Sequence, residues 1–569
     1  FMLSYVIFVF AASAKGGFPE WLLTETGVRV YSQYLDILAA VLAVVLVWAF
    51  VRRWVLTPSR LAFDLTRHSD ALIIVVLIMG LMISTILTHA FWVAQGVTGP
   101  EADVFIGKAL GNLFTDWGLG IGAANTLQGV FWWSHLSIIL IFTVYIPFTK
   151  HMHMFAAPVN AYFRSLEPKG ALPLMDLENT EKFGAGRVQD FTWKQLLDLH
   201  TCTQCGRCDQ VCPALATGKP LSPQQLTVDL RDHLNGPHDS NIPLLGGVIQ
   251  DETLWACTTC GACESACPVM IEYVDKVIDL RRGLVMTENR YPKEFESAFK
   301  SLETQSNPWG FPKHTRSDWA AKELDVPIWD KSNPTEYLYF VGCNGSFDTR
   351  GKQISAAVVK ALKQAGVSFS ILGNDEGCTG DPARRAGNEY LFDMLASKNA
   401  KTFQQKGVQK VITHCPHCLN SLKNEYPEFG AHLEVIHHSE LLKILIAEGK
   451  LSIGEKTEDN VVVHDSCYLG RHNGIYDAPR NVLSAGAEKI HEVEQSREKG
   501  TCCGAGGARF LLEENTGTRM SHHRLDELMV TNPDTIAVSC PYCVLMLEDA
   551  VKAKGLQDKV QVKDIGEMI

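Results

Sequence analysis

Positive charge is in short supply. The 52 Lys and Arg residues stand against 63 Asp and Glu, a formal net charge of −11, which excludes the basic footprint of a nucleic-acid binder. A phosphate loop is also missing: the glycine-rich stretch CCGAGGAR lacks the Lys-Ser/Thr that such a loop needs. No Gly-x-Gly-x-x-Gly follows a strand pattern in the polar part, so the chain shows no flavin or nicotinamide fingerprint of its own. Charged residues make up only 20% and hydrophobic residues 46%, which rules out a disordered chain. At 569 residues the length corresponds to about three to four domains. Cysteine is what the chain has in abundance. Its 17 cysteines sit in tight, ordered spacings on a chain too large to be a small secreted scaffold, which points to metal binding rather than disulfides.

Long apolar runs are confined to the first 150 residues or so. The opening run, Phe1 to Ala14, is short for about 30 Å of hydrocarbon and is read as a clipped first span. A signal peptide is the other reading, weakened by the lack of a basic leading region. The second span is Ile37 to Val51, flanked by Tyr34 and Trp54; the third is Ala71 to Ala94 and the fourth Leu127 to Phe148. The loop between spans two and three carries Arg52, Arg53, Arg60 and Arg67, and Lys150 and Arg164 follow the last span. The loop from Gln95 to Asn125 has Glu101, Asp103 and Asp116 against Lys108 alone. The positive-inside rule therefore places the Arg-rich loop, and everything after Lys150, on the cytoplasmic side of the inner membrane.

Histidines in such helices are costly and usually functional. His89 and His135 lie toward the outer ends of their spans, while His68, His151 and His153 lie at the inner face. His135 to His151 or His153 covers about 24–27 Å of helix, so the helices offer one histidine pair per leaflet, as two stacked b-haems need. For His68, His151 and His153 an interfacial position in water is the alternative. With "IPFTKHMHMFAAPVN" following His135, this part resembles the cytochrome b subunits of the nitrate reductase gamma and heterodisulfide reductase type. The resemblance implies one or two haems b on His68, His89, His135, His151 and His153. No histidine precedes His68, a departure from that family that leaves the pairing open.

The polar part opens, after an irregular linker over residues 157–190, on "CTQCGRCDQVCP": Cys202, Cys205, Cys208 and Cys212. It recurs as "CTTCGACESACP": Cys257, Cys260, Cys263 and Cys267. Cys-x2-Cys-x2-Cys-x3-Cys-Pro is the bacterial ferredoxin signature, in which the fourth cysteine ligates the other cluster. Two [4Fe–4S] cubanes with exchanged fourth ligands are expected. Structural zinc is disfavoured because its sites use separated Cys-x2-Cys pairs. The 44 residues between the runs include an expected helix near Pro223–His233, which suits a helical ferredoxin module over residues 191–333.

From about residue 334 the pattern changes to alternating strands and helices. "EYLYFVGC", "QKVITHCPHC", "VVVHDSC" and "DTIAVSCPYC" read as short strands ending at cysteines. The cysteines repeat. Cys343, Cys378, Cys415 and Cys418 step by 35, 37 and 3, and Cys467, Cys503, Cys540 and Cys543 by 36, 37 and 3. The second copy adds Cys502, where the first has Gly377. Two α/β repeats, residues 334–455 and 456–569, are expected. Neighbouring His414, His464, Asp465, Arg471 and His472 are either second-sphere tuning groups or ordinary loop residues. The glycines of CCGAGGAR would let backbone N–H groups approach cluster sulfur.

This pattern resembles the duplicated CCG catalytic subunits of heterodisulfide reductase, where five cysteines of one repeat hold a noncubane [4Fe–4S] cluster. By position the resemblance implies a noncubane cluster on Cys467, Cys502, Cys503, Cys540 and Cys543, the catalytic centre. The four cysteines of the first repeat suffice for a cubane or modified cluster. Over nearly its whole length the chain resembles fused, membrane-bound, heterodisulfide-reductase-related iron–sulfur oxidoreductases, most closely the electron-transfer-flavoprotein:(methyl)menaquinone oxidoreductases. That implies a multidomain fold: an N-terminal cytochrome b-like transmembrane bundle over residues 1–156, the ferredoxin module and the duplicated CCG domain. It also implies a heterodimeric electron-transfer flavoprotein, loaded by acyl-CoA dehydrogenases of fatty acid oxidation, as donor and menaquinone of the membrane pool as acceptor. A quinol-linked disulfide reductase, or an electron-transfer subunit of a lactate or glycerol-3-phosphate dehydrogenase, are the rival activities. The mean hydropathy of +0.01 is then an average over a lipid-embedded and a polar part.

Overall fold

A computed structural model describes residues 24–58, 68–99, 102–180, 182–236, 242–321 and 324–569. The expected first span, Phe1–Ala14, and Arg60 and Arg67 lie outside these residues. Internal contacts divide the chain into two units, residues 1–154 with 203–205 and the remainder.

The first unit is built on three helices long and apolar enough to cross a membrane. Helix α1 (Glu25–Phe50) begins at Thr24, whose hydroxyl accepts the Gly27 N–H at 3.2 Å, and continues as a wider turn to Val55. Helix α2 spans His68–Ala94. Between it and the last span, the acidic loop expected over Gln95–Asn125 contains helix α3 (Ile106–Asp116). Helix α4 covers Ile121–Tyr145. The helices outrun the apolar windows of the sequence because backbone hydrogen bonds propagate into polar ends. Buried polar side chains must be satisfied from within the fold. Ser84 and Thr85 accordingly return their hydroxyls to Leu81 O at 3.0 and 2.8 Å.

Asp36, fully buried on α1, caps α3. Its carboxylate accepts the N–H groups of Ile106 at 2.6 Å and Gly107 at 3.0 Å, placing negative charge at a helix N-terminus. Gly107 and Gly111, four apart, face α2. A Cβ there would stand 2.7 Å from His89 Cβ and 2.5 Å from Ala90 O, so only glycine lets the backbones approach this closely.

Helix α5 spans His153–Tyr162, and the second unit begins within it, at Phe155. The linker expected to be irregular from residue 157 is thus helical for its first six residues; Pro158 removes one donor without ending the helix. In the ferredoxin module, α6 (Trp193–Thr201) opens on a capping box in which Thr192 accepts from Gln195 N at 3.3 Å and Gln195 accepts from Thr192 N at 2.9 Å. Helix α7 (Pro223–Asn235) starts at Ser222, which accepts from Gln225 N at 2.9 Å, and extends two residues past the expected end. Helix α8 covers Tyr273–Arg282. Asp198 of α6 receives Lys276 of α8 at 2.5 Å and Lys194 at 3.0 Å, with Asp198 and Lys276 both at most 1% exposed.

Each repeat forms a parallel four-stranded sheet. The first holds β1 (Tyr337–Tyr339), β2 (Phe369–Ser370), β3 (Lys410–Thr413) and β4 (Glu434–His437) in the order β2-β1-β3-β4. The second holds β5 (Thr457–Val463), β6 (Ala487–His491), β7 (Thr535–Val538) and β8 (Gln561–Asp564) in the matching order β6-β5-β7-β8. Their central strands are apolar on both faces, as buried parallel strands must be: Val461, Val462 and Val463 are at most 2% exposed, as are Ile536, Ala537 and Val538. Loops leaving the carboxyl ends of β1, β2, β3, β5, β6 and β7 carry the cysteines, the position where open parallel sheets bind ligands. His438 donates to Asp564 at 2.9 Å, joining the ends of β4 and β8.

Asp198→Ala should strand the Lys276 ammonium on one backbone carbonyl and lower stability by about 3–5 kcal/mol, the cost of an uncompensated buried charge. The check is chemical unfolding followed by cluster absorbance; an unmoved midpoint contradicts this account.

Candidate metal centres

None of the 17 cysteines is paired in a disulfide, and the fold gathers them. The two ferredoxin loops take one backbone path. Gln204 and Thr259 have φ of 54° and 51°, and Gly206 and Gly261 have φ of 72° and 69°, left-handed conformations that fold the chain back so that its cysteines point inward. The fourth cysteine of each run crosses over. Cys212 lines one cavity with Cys257, Cys260 and Cys263. Cys267 approaches Cys208 and Cys202, and burial together with Asp209 and these thiols pushes Cys208 upward. Thiols with strongly raised pKa values are poor free nucleophiles but good ligands for an ion that displaces their protons.

In the first repeat, Cys343 approaches Cys378 and Cys418 approaches Cys415, and Cys418 also comes near Cys378 and Cys343. Gly342, at φ 74°, would put a Cβ 3.1 Å from Cys418 Sγ. Burial pushes the Cys343 thiol up, but Cys378 and Arg316 outweigh it and hold it below the ordinary thiol range. Arg316 donates to Cys343 Sγ at 3.4 Å and to Glu376 at 2.8 Å, and Glu376 accepts the N–H groups of Val341 and Gly342 at 3.0 and 2.9 Å. The place of a fifth cysteine is filled: a Cβ on Gly377 would lie 3.0 Å from Asn399 Oδ1.

In the second repeat, Cys502 contacts both Cys467 and Cys503, and Cys503 and Cys540 contact Cys543. Cys502 also packs in one cluster with Cys260 of the ferredoxin module, so these two centres abut. The glycines of CCGAGGAR serve two ends. Gly504 N donates to Cys502 Sγ at 3.3 Å, whereas a Cβ on Gly506 or Gly507 would come within 2.3 Å of Thr258 O or 2.4 Å of Cys257 O. Gly506 and Gly507 press on the second ferredoxin loop.

The neighbouring polar residues separate by role. Arg471 donates to Cys260 O at 2.8 Å and Gly500 O at 2.6 Å, and His472 to Thr259 O at 2.9 Å, so both fasten the ferredoxin loop. Asp465 is taken by Arg480 at 2.7 Å. His414 has its Nδ1 bonded to the Tyr339 hydroxyl at 2.8 Å. A ring nitrogen of His464 lies within 4.8 Å of Cys503 and Cys543 Sγ. Sequence reasoning missed Arg316, and it missed His417 and Tyr542. Each of the latter lies between the cysteines of a Cys-Pro-x-Cys and reaches the other repeat's centre, His417 toward Cys540 and Tyr542 toward Cys415 and Cys343, with their rings 5.5 Å apart. The matched motif was the available signal.

In the first unit, His89 and His135 are buried and close enough to interact, and His135 Nδ1 is bonded to Ser84 Oγ at 2.8 Å. His89 Nδ1 lies 3.8 Å from Asp36. His151 and His153 have ring centroids 5.5 Å apart. The His68 side chain lies outside the described residues.

Convergent thiol centres in a ferredoxin-like module and in two cysteine-lined parallel sheets define an iron–sulfur oxidoreductase that carries [4Fe–4S] clusters. Residues 201–271 match the 4Fe-4S dicluster domain, and residues 337–423 and 461–548 the cysteine-rich domain CCG. The chain is 39% identical over 591 aligned residues to the probable iron-sulfur-binding oxidoreductase FadF of Bacillus subtilis, covering 95% of this chain and 82% of that one. It is 39% identical over 491 residues to the EtfAB:quinone oxidoreductase of Syntrophomonas wolfei, covering 79% and 69%. It is 31% identical over 401 residues to one of the subunits of the dihydromethanophenazine:CoB–CoM heterodisulfide reductase of Methanosarcina barkeri, covering 67% and 96%. The chain belongs to this family of heterodisulfide-reductase-related iron–sulfur oxidoreductases.

The crossover of fourth cysteines gives a sharp expectation. Cys212→Ser should abolish the electron paramagnetic resonance signal of the cluster on Cys257, Cys260 and Cys263 and leave the other ferredoxin signal in place. Loss of the opposite signal would mean that each run closes on itself.

Proposed function

We propose that the protein oxidises a reduced electron-transfer flavoprotein and delivers the electrons to menaquinone in the membrane. The observation that carries this reading is the unbroken succession of cysteine centres, from the first repeat through the second to the ferredoxin loop at the Cys502–Cys260 contact. The similarity to an EtfAB:quinone oxidoreductase supports a flavoprotein donor. The apolar helices, with arginines flanking one end, support a membrane acceptor and cysteine domains on the cytoplasmic side.

In this reading Cys467, Cys502, Cys503, Cys540 and Cys543 hold a noncubane cluster, and Cys343, Cys378, Cys415 and Cys418 a four-thiolate cluster. Cys212, Cys257, Cys260 and Cys263 hold one cubane; Cys202, Cys208 and Cys267, joined by Cys205 from the motif, hold the other. His68, His89, His135, His151 and His153 supply the ligands of one or two haems b. Bound clusters and haem supply one-electron redox chemistry. The protein's own residues fix the spacing. Tyr468 bonds Thr259 Oγ1 at 2.7 Å and stacks on His417 at 3.9 Å, so the ferredoxin loop and both repeats are held in one rigid contact. A dihydroflavin gives up two electrons and two protons, and the quinone takes up two of each. Single-electron centres between them let two-electron partners at either end react independently. Burial of the five-cysteine centre, with no thiol more than 7% exposed, favours electron passage over the docking of a disulfide.

Purified protein should oxidise reduced flavoprotein with a menaquinone analogue as acceptor, and Cys503→Ala should slow turnover at least about a hundredfold while the ferredoxin signals persist. Inertness toward the flavoprotein refutes the donor assignment. Separately, His135→Ala should remove haem b from the pyridine haemochrome spectrum; a full haem complement in that variant excludes His135 as a ligand.

A further inference from the structure

His464 directly follows β5, three residues before Cys467. Its backbone N–H donates to Ala537 O of β7 at 2.9 Å, and the residue is 2% exposed. A ring nitrogen and the Sγ atoms of Cys503 and Cys543 lie within 4.8 Å of one another. On distance alone this is a metal-ligating triad. The hydrogen bonds decide otherwise.

Arg524 Nε donates to His464 Nδ1 at 3.1 Å. A guanidinium has donors and no acceptor, so Nδ1 presents its lone pair and the neutral ring carries its one proton on Nε2. A histidine that ligates a metal shows the reverse pattern, its distal N–H donating to a carbonyl or carboxylate while the other nitrogen's lone pair meets the ion. Arg524 cannot swing away easily. It is fully buried and donates to Glu527 at 2.8 Å and to Gln495 O at 2.9 Å. His464 Nε2 is left buried without a protein acceptor, a costly state unless an acceptor occupies the space it faces. With Nδ1 held by Arg524, Nε2 is the ring nitrogen with a proton to offer, and cluster sulfur on Cys503 and Cys543, whose Sγ atoms lie within 4.8 Å of a ring nitrogen, would be such an acceptor.

We propose that His464 is a fixed N–H donor to the sulfur of the second-repeat cluster, a positioning residue that holds that cluster's reduction potential up by stabilising the charge of the added electron. The first repeat lacks the device: Phe340 occupies the matching place three residues before Cys343, and Arg316 reaches Cys343 from another direction at 3.4 Å. Duplicated sites have thus been given different donors. The inference rests on the presence of a cluster in the second repeat.

A redox titration of the full chain followed by electron paramagnetic resonance tests it. In His464→Ala the reduction equilibrium of the second-repeat cluster should fall about tenfold, the effect of one hydrogen bond to a charged acceptor, which is about 59 mV for a one-electron couple. Iron per chain and the ferredoxin midpoints should not change. His464→Gln, which keeps an N–H of similar reach, should recover most of the shift. An unmoved midpoint, or loss of the cluster's iron in both variants, overturns the proposal. In the unsubstituted protein labelled with 15N-histidine, pulsed resonance should detect one weakly coupled nitrogen with an exchangeable proton. Direct-ligand coupling, or none, refutes the donor role alone. Absence of any second-repeat cluster signal refutes the underlying reading as well.

Discussion

The constraint on which this structure turns is the burial of anionic sulfur beside buried guanidinium. Thiolate clusters sequestered from water need compensating charge and donors, and the chain supplies them as arginines that are themselves out of solvent. Arg281 is fully buried and donates to Leu254 O and Cys257 O at 2.7 Å, to Arg385 O at 2.6 Å and to Gly507 O at 3.1 Å. One side chain thus ties the second ferredoxin loop to both repeats. Burial is strong enough there to pull even its guanidinium down to about 10. Arg384 and Arg385 share Glu425, at 3.1 and 2.8 Å, while Arg282 and Arg384 share Glu389, at 2.7 and 3.1 Å. The network is closed, and removing any member would leave a charge in a low-dielectric interior.

That network explains why the centres abut. Arg471, His472 and Tyr468 follow Cys467 directly in sequence, yet they bond Cys260 O, Thr259 O and Thr259 Oγ1. A cluster loop pinned at three successive points has little freedom to reorganise. A rigid environment around each centre is what one-electron transfer requires, since little nuclear rearrangement then accompanies a change of charge.

Duplication gave two sheets of one topology, and divergence is concentrated where chemistry differs. Gly377 stands opposite Cys502, Phe340 opposite His464 and His417 opposite Tyr542, while strand order and the Cys-Pro-x-Cys turn are shared. The repeats also face one another: the residue inside each Cys-Pro-x-Cys reaches into its sister's centre. Neither repeat's surroundings are therefore complete alone, which is a physical reason for the two to be retained as a pair.

Much of this was legible in the sequence because it is local. Cysteine spacing is a property of the covalent chain, and the ferredoxin run implies its own loop and its exchanged fourth ligand; strands such as Val461–Val463 announce themselves by unbroken apolar character. Hydropathy found the three long apolar helices but not their ends, nor α3, whose signal, a buried Asp36 some 70 residues before the helix it caps, has no local trace. The glycines of CCGAGGAR read as cluster-approaching, and only packing showed Gly506 and Gly507 pressed on Thr258 and Cys257. The sequence by itself determined which atoms can bind iron and in what groups. Tertiary structure alone decided which groups touch, which arginines neutralise them and which partners His414 and His464 take, because those outcomes depend on contacts between residues that spacing along a chain does not encode.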